Sequence, residues 1–267
     1  MGASSTPEGA TGIARVRAQL AIACGRAGGL CVLTGAGMSA ESGIPTFRDA
    51  LTGYWSQFDP MELASAEGFR AAPQRVWDWY AERRQGVTQA EPHAGHHALA
   101  DFARRHPGAL RLVTQNVDDL HQRAGNTDAI RLHGDILQDG WLDHSCTRRA
   151  AGGNHCDTAW ASPGRPPRCQ ECGDSVRPGV VWFGESLPIG AMTAAEQAAT
   201  GCELMLVVGT SGAVWPAAGL AGRARRSGAF VVIVNPNESE IDAEAELTLR
   251  GTAAALLPQL LAAAGAH

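Results

Sequence analysis

Leu30-Cys31-Val32-Leu33-Thr34-Gly35-Ala36-Gly37-Met38-Ser39-Ala40-Glu41-Ser42-Gly43-Ile44-Pro45-Thr46-Phe47-Arg48 is the stretch that decides the fold. Its first five residues form an apolar, partly β-branched run that reads as a buried strand. Gly35, Gly37 and Ala40 then give a G-x-G-x-x-A turn off the end of that strand. Such a turn lets backbone N–H groups approach a pyrophosphate, and the helix start expected after it adds a favourable dipole. Glycine-rich turns of this kind are common in α/β proteins, so the motif alone says little. The residues after it are more specific. Gly43-Ile44-Pro45 makes a bend, and Phe47 and Arg48 then set an aromatic plane and a fixed cation just past the phosphate turn.

With that extension the chain resembles the sirtuins, NAD-dependent protein-lysine deacylases with the signature G-A-G-x-S-x-x-S-G-I-P-x-F-R. Every fixed position of the signature is present between Gly35 and Arg48. The resemblance implies that Gly35, Ala36, Gly37, Ser39, Glu41, Pro45, Phe47 and Arg48 face NAD. It also implies that the turn-rich segment from Asp49 to Trp55 orders over the cofactor.

Working outward, Ala109 to Thr114 reads as a second strand, with Gln115-Asn116-Val117-Asp118 at its carboxyl end, where open α/β sheets bind ligands. The family's Gln-Asn-x-Asp is matched without change, which assigns Gln115, Asn116 and Asp118 to NAD and gives Asn116 and Asp118 a part in catalysis. Ala129 to Leu132 is a further strand leading to His133-Gly134, the place of the family's general base. Leu204 to Val208 and Phe230 to Val234 read as buried strands. By resemblance, Gly209, Thr210 and Ser211 after the first contact the cofactor, Asn235 after the second lies near the adenosine ribose, and Ala253 lies near adenine. Gly212 stands where a larger apolar residue is usual.

Arg177 to Glu185 resembles the sirtuin segment that pairs with the substrate peptide through its main chain. The backbone at Val181, with Trp182, Phe183 and Gly184, is thereby implied in substrate binding. Ile13, Val16, Leu20 and Ile22 mark one face of a helix before the first strand, and Pro73 to Gln85 reads as a helix with Val76, Trp77 and Tyr80 on one side. Tyr80 and Arg83, three apart, share a face. In sirtuins a Tyr-x-x-Arg here accompanies a preference for negatively charged acyl groups. His93, His96 and His97 lack nearby carboxylate or cysteine partners and read as packing at a helix start.

The seven cysteines fall into two classes. Cys169-Gln170-Glu171-Cys172 is a C-x-x-C knuckle, half of a tetrahedral zinc site. A second C-x-x-C, usual in the family, is absent, because Arg149 follows Cys146-Thr147-Arg148. Cys146 and Cys156 complete the set most economically, and His155 or His144 could replace Cys156. If zinc binds, the site is structural, with one zinc per chain; a degenerate cluster that no longer holds zinc is the alternative. Cys24, Cys31 and Cys202 sit in apolar surroundings and read as buried thiols.

Strands alternating with helices predict an α/β fold, a Rossmann-like open parallel sheet. A smaller lobe is formed by a helical insertion and a zinc-binding module. The expected divisions are a disordered lead-in over 1–12, an NAD-binding domain from 13–55, 90–134 and 180–267, a helical insertion over 56–89 and a zinc module over 135–179. A formal net charge of -5 argues against generic nucleic-acid binding. No membrane-spanning run and no signal-peptide pattern is read, so a cytoplasmic location is expected. The resemblance implies an enzyme that removes acyl groups from lysine side chains of proteins or peptides. Succinyl or malonyl would be preferred over acetyl, and nicotinamide and O-acyl-ADP-ribose would be the products. An NAD-dependent ADP-ribosyltransferase or a non-catalytic NAD sensor or scaffold remain the alternatives at this point. Oligomeric state is not legible.

Overall fold

The computed structural model describes residues 7–46, 50–51, 53–143, 158–159, 166–169 and 172–262. In chain order its helices are α1 (Pro7–Ala23), α2 (Pro60–Leu63), α3 (Ala66–Ala71), α4 (Pro73–Gln89), α5 (Ala94–Arg105), α6 (Leu120–Arg123), α7 (Ile189–Gly201), α8 (Gly219–Arg226) and α9 (Ala253–Leu261). The strands are β1 (Leu30–Thr34), β2 (Leu110–Thr114), β3 (Ile130–Arg131), β4 (Gly134–Trp141), β5 (Thr158–Ala159), β6 (Arg168–Cys169), β7 (Val176–Val180), β8 (Leu204–Val208), β9 (Phe230–Val234) and β10 (Leu247–Leu249). Internal contacts divide the chain into two units. One comprises Met1–Thr46, Ala90–Leu132 and Leu187–His267, the other Phe47–Gln89 and His133–Ser186. No helix among the described residues is long and apolar enough to cross a membrane.

The first unit is a wholly parallel six-stranded sheet in the order β10-β9-β8-β1-β2-β3. The chain winds outward from β1 through β2 and β3 on one side, and through β8, β9 and β10 on the other. The order therefore reverses between β1 and β8, the switch point at which such sheets bind ligands. Both of those strands are buried along their whole length, as a parallel strand covered on both faces must be. Alternate residues feed two cores. Leu30, Val32, Leu206 and Val232 pack with Val16 and Leu20 of α1, Leu99 and Phe102 of α5 and Leu256, Leu257, Leu260 and Leu261 of α9. Cys31, Leu33, Met205, Val207 and Ile233 pack on the other face with Ala195 and Ala199 of α7 and Leu220 and Ala224 of α8.

Two details differ from the sequence reading. Helix α1 begins at Pro7, so residues 7–12 belong to it and not to a lead-in. Proline fits a first helical turn, where its missing N–H has no partner to lose and its φ is already helical. Ile22, expected on the inward face, is 58% exposed, and Ala23 takes the core position.

In the second unit α2, α3 and α4 lie in sequence before β4, which pairs antiparallel with β7. The short β5 and β6 pair with each other. The ladder couples Gly134 to Val180, so His133, Gly134 and residues 180–186 sort with this unit and not with the parallel sheet to which the sequence reading assigned them. Helix α4 buries Val76, Trp79, Tyr80 and Val87, whereas Trp77, expected inward, is half-buried. Arg84 ties α4 to β4, donating to the carbonyls of Ile136 at 2.6 Å and Gln138 at 3.0 Å.

Three histidines brace the first unit beneath the carboxyl edge of its sheet. His93 caps α5, accepting from the Gly95 amide at 2.9 Å, while its Nε2 meets the Met38 carbonyl at 2.6 Å. His96 Nδ1 accepts from the His93 amide at 3.3 Å. The His96 ring packs edge-on against His121 at 4.9 Å between centroids, and His121 Nε2 lies 3.1 Å from the Thr34 hydroxyl. The helix-start reading of His93 and His96 is thus borne out. Burial lowers the pKa of His96 to about 2 and that of His121 to about 3, with neighbouring histidines and, at His121, Arg131 adding to the effect. His96 Nε2 and His121 Nδ1 are buried with no hydrogen-bond partner among the described residues. A proton added to His121 would therefore meet no acceptor.

A depressed histidine pKa leaves stability intact above the unfolded value near 6.5 and removes it as pH falls, because only the unfolded chain takes the proton. Each histidine costs about 1.4 kcal/mol per pH unit below that point. We expect the melting temperature to drop steeply between pH 6.5 and 4.5, and a His121→Gln variant to show a shallower slope. A melting temperature level across that range would contradict this account.

Candidate active site

The turn after β1 does not enter an α-helix. Two short 3₁₀ turns, Ala36–Met38 and Ala40–Ser42, take its place. Gly43 stops them with φ at 85°, and Pro45 offers no amide to continue a helix. The glycines are required by the protein's own backbone. Gly37 N donates to Gly209 O at 2.8 Å. A Cβ on Gly37 would lie 2.8 Å from the Gly209 Cα, and one on Gly35 would lie 2.8 Å from the Gly209 carbonyl oxygen. Gly209, at φ 62°, is equally constrained, its own Cβ position lying 2.4 Å from the Met38 amide nitrogen. The loops leaving β1 and β8 thus touch main chain to main chain at the switch point.

Polar side chains gather on that contact. Asn116 Nδ2 donates to Ser39 Oγ at 3.0 Å, and its amide donates to Thr114 Oγ1 at 3.0 Å. Gln115 Nε2 reaches Thr210 Oγ1 at 3.2 Å, and Asn235 Nδ2 reaches the Thr210 carbonyl at 3.0 Å. Ser39, Asn116, Asp118, Thr210 and Asn235 are all buried. Asp118 accepts from the Leu120 amide at 3.1 Å. Burial raises its carboxyl above the usual range, against the opposing pull of the Ser39 hydroxyl, that amide and Arg131. Arg131 passed unnoticed in the sequence. Its Nη2 donates to the carbonyls of Val117 at 2.8 Å and Asp118 at 2.9 Å and holds the loop after β2 in place.

Other residues singled out in the sequence are placed differently. The Glu41 carboxylate accepts from the Ala254 amide at 2.8 Å, so it caps the start of α9. Ala253 beside it is buried. Ala36, Pro45 and Ser211 are exposed. Phe47 and Arg48 lie outside the described residues, as do Cys146, Cys156, His144 and His155.

In the second unit the Val181 amide donates to the His133 carbonyl at 2.9 Å, one step beyond the β4–β7 ladder. The next few residues are pinned. Trp182 N donates to Glu185 Oε2 at 2.8 Å, and Phe183 N donates to the Ala64 carbonyl at 2.9 Å. Phe183 remains 44% exposed. Arg177, buried, forms an ion pair with Glu185 and donates to the Val180 carbonyl at 2.6 Å. Sequence reading missed this clamp. The one signal was a pair of opposite charges bracketing an apolar run. Tyr80 is buried and accepts from Trp182 Nε1 at 3.0 Å. The Arg83 guanidinium lies 5.5 Å from the Tyr80 ring centroid and 4.7 Å from that of Trp79.

The cysteine knuckle is a closed turn. Gly173 N donates to Cys169 O at 3.0 Å, Cys169 N donates to Asp174 O at 2.8 Å, and Gly173 takes φ 74°. Cys169 is buried and Cys172 exposed. Among the described residues no group of three or more metal-ligating side chains occurs. Of the free thiols, Cys31 and Cys202 are buried but Cys24 is only partly so.

Known proteins share the fold of this chain. A model of the Sir2 family matches residues 35–216. An NAD-dependent protein deacylase of Ralstonia nicotianae is 54% identical over 231 residues, which cover 86% of this chain and 90% of that relative. A crystal structure of a Sir2 homologue in complex with NAD superposes with a TM-score of 0.75 at 39% identity, covering 87% of each chain. Sir2Tm bound to a propionylated peptide gives 0.72 at 28% identity, covering 91% of this chain and 96% of that one. The family match spans the glycine turn and the Gln-Asn-x-Asp strand end, the relatives cover most of the chain, and the chain belongs to the Sir2 family.

Proposed function

We propose that this protein is an NAD-dependent protein-lysine deacylase that favours acyl groups ending in a carboxylate. The observation that carries the deacylase reading is the set of buried polar side chains, Ser39, Asn116, Asp118, Thr210 and Asn235, converging at the switch point of the sheet. Their donors and acceptors suit a sugar and an amide better than an apolar ligand. Sir2 relatives carrying the deacylase name supply the reaction class.

Bound NAD would supply a ribose carbon from which nicotinamide can leave. Asn116, held by Ser39, and Asp118, held by the Leu120 amide, orient the ribose and nicotinamide ends. Gly35, Gly37, Gln115 and Thr210 line the phosphate and ribose region, with Phe47 and Arg48 assigned there by the family signature. His133 would take a proton from a ribose hydroxyl of the bound cofactor and so favour acyl transfer to it. An imidazole suits that step because its pKa lies near the working pH. The Val181 amide already serves His133, so the Val181 carbonyl is the group that can receive the N–H of an acyl-lysine. Recognition through the main chain reads little peptide sequence.

Acyl choice rests on Tyr80 and Arg83. A carboxylate entering a buried pocket unpaired costs several kcal/mol, so it requires a cation and a donor. Arg83 offers a planar fork and Tyr80 a phenol, three residues apart on α4. Cys169 and Cys172, on one tight turn, suit half of a structural zinc site, with Cys146 and Cys156 as the proposed other half.

Acyl-lysine peptide with NAD should release nicotinamide and O-acyl-ADP-ribose, and His133→Ala should lower the rate by about a thousandfold. A mass gain on protein in place of the small-molecule product would indicate ADP-ribosyl transfer. Wild-type protein should process succinyl-lysine faster than acetyl-lysine. The double change Tyr80→Phe with Arg83→Met should cut that preference by about a hundredfold. A wild-type preference for acetyl-lysine defeats the acyl reading. Elemental analysis should find about one zinc per chain, lost in Cys169→Ser and equally in Cys156→Ser. Retention of zinc by Cys156→Ser would move the fourth ligand to His155 or His144.

A further inference from the structure

Tyr80 is 2% exposed, and its phenolic oxygen lies 3.0 Å from Nε1 of Trp182. An indole nitrogen can only donate, so the tyrosine oxygen is the acceptor in this bond. The phenol's own proton is not used by it and stays available to an acceptor elsewhere. Burial raises the Tyr80 pKa from its usual value despite the nearby arginines, so the proton is present at every working pH. Accepting one hydrogen bond also polarises a hydroxyl and makes it a stronger donor of the next.

Trp182 is itself fixed on several sides. The Arg177 guanidinium lies over its indole face, 3.4 Å from the centroid. Its main-chain amide is held by Glu185, and Glu185 is paired with Arg177. The Phe69 ring packs beside it at 5.5 Å between centroids. The indole N–H therefore has little freedom to follow Tyr80, and Tyr80 must follow it. On the other flank of Tyr80, the Trp79 ring meets it edge-on at 4.7 Å.

We propose that Trp182 is a specificity-determining positioning residue, whose indole N–H fixes the Tyr80 phenol as a donor for a carboxylate-terminated acyl chain. The inference rests on the reading that Tyr80 and Arg83 receive such a chain. It adds that acyl preference depends on a residue of the peptide-pairing segment as well as on α4. An acetyl group makes no demand on the phenol, so its turnover does not depend on where that proton points. Phenylalanine at position 182 would keep most of the packing against Phe69 and Arg177 while freeing the phenol to rotate.

The test is steady-state kinetics of wild type, Trp182→Phe, Tyr80→Phe and the double variant, with succinyl-lysine and acetyl-lysine versions of one peptide at saturating NAD. Trp182→Phe should lower the succinyl-to-acetyl ratio of kcat/KM about five- to tenfold, chiefly through the succinyl KM. The double variant should show a ratio no lower than Tyr80→Phe alone, since the indole acts through the phenol. A merely structural role would lower both rates together and leave the ratio in place. A wild-type preference for succinyl-lysine with an unchanged ratio in Trp182→Phe overturns the role of Trp182 alone, whereas a wild-type preference for acetyl-lysine overturns the acyl reading beneath it. Should Trp182→Phe fail to fold, the wild-type protein carries the test by nitrogen-labelled indole resonances. The indole N–H signal that moves in Tyr80→Phe should shift with succinyl-lysine peptide and not with acetyl-lysine peptide, and equal shifts overturn the proposal.

Discussion

Two backbone turns meet without a side chain between them, and the first unit is organised around that contact. Gly35 and Gly37 leave β1, Gly209 leaves β8, and the Gly37 amide donates to the Gly209 carbonyl. A methyl group at any of the three positions would overlap the facing main chain. Because β1 and β8 are neighbours at the reversal of strand order, this approach sets the spacing of the crevice at the carboxyl edge of the sheet. The loops carrying Ser39 and Thr210 are positioned by it. From there Asn116 is reached through Ser39, and Gln115 and Asn235 through Thr210.

Beneath this floor the polar groups are braced rather than merely buried. Thr34 donates to Thr114 at 2.8 Å, joining the ends of β1 and β2, and Thr114 holds the Asn116 amide while His121 holds Thr34. Each such bond adds little net stability, but leaving one of these groups unpaired would cost more. Their common effect is to limit where Asn116 can point. Asp118 shows the opposing pressure, since burial works against its charge while the Leu120 amide and Arg131 support it. The second unit uses an ion pair for a similar purpose. A buried pair such as Arg177 and Glu185 offers weak grounds for a stability claim, because desolvation offsets much of the attraction. Its contacts with the Val180 carbonyl and the Trp182 amide indicate that it fixes the path of residues 180–185.

The parallel strands were readable because their burial on both faces leaves continuous apolar runs, as at Leu204 to Val208. Motifs at their carboxyl ends were readable because local sequence and local geometry coincide there. Helical faces were less so. Trp77 and Trp79 are equally apolar and two residues apart, so composition cannot say which faces inward, and Trp79 does. Ile22 stands out of the core because Val16, Leu20 and Ala23 follow the i, i+4, i+7 stripe of α1 and position 22 falls off it. A helix was expected after the glycine turn, where Gly43 and Pro45 favour short 3₁₀ turns instead. Contacts between distant positions left no trace in the sequence. Glu41 reads as part of a cofactor motif, yet its carboxylate caps a helix that begins more than two hundred residues later. The brace from Arg131 and the bond from Trp182 to Tyr80 were hidden for the same reason.

Within the second unit, one short segment would serve both kinds of recognition proposed for this chain. The Val181 main chain is aligned by its bond to His133, and main-chain pairing with a substrate peptide is insensitive to the peptide's side chains. Its neighbour Trp182 bonds to Tyr80, on the helix proposed to read the acyl terminus. Under the proposal, peptide tolerance and acyl selectivity need not be traded against each other, because backbone atoms would govern the first and side-chain atoms the second. The Arg177–Glu185 clamp acts on both, holding the Val180 carbonyl and the Trp182 amide together. Loosening it would disturb the path of residues 180–185 and the phenol orientation at once, whereas changing the indole alone would remove the bond to Tyr80 and keep the main-chain bonds to Arg177 and Glu185. Under the proposal, position 182 is where acyl preference could be altered while the main-chain bonds of residues 180–185 stay formed.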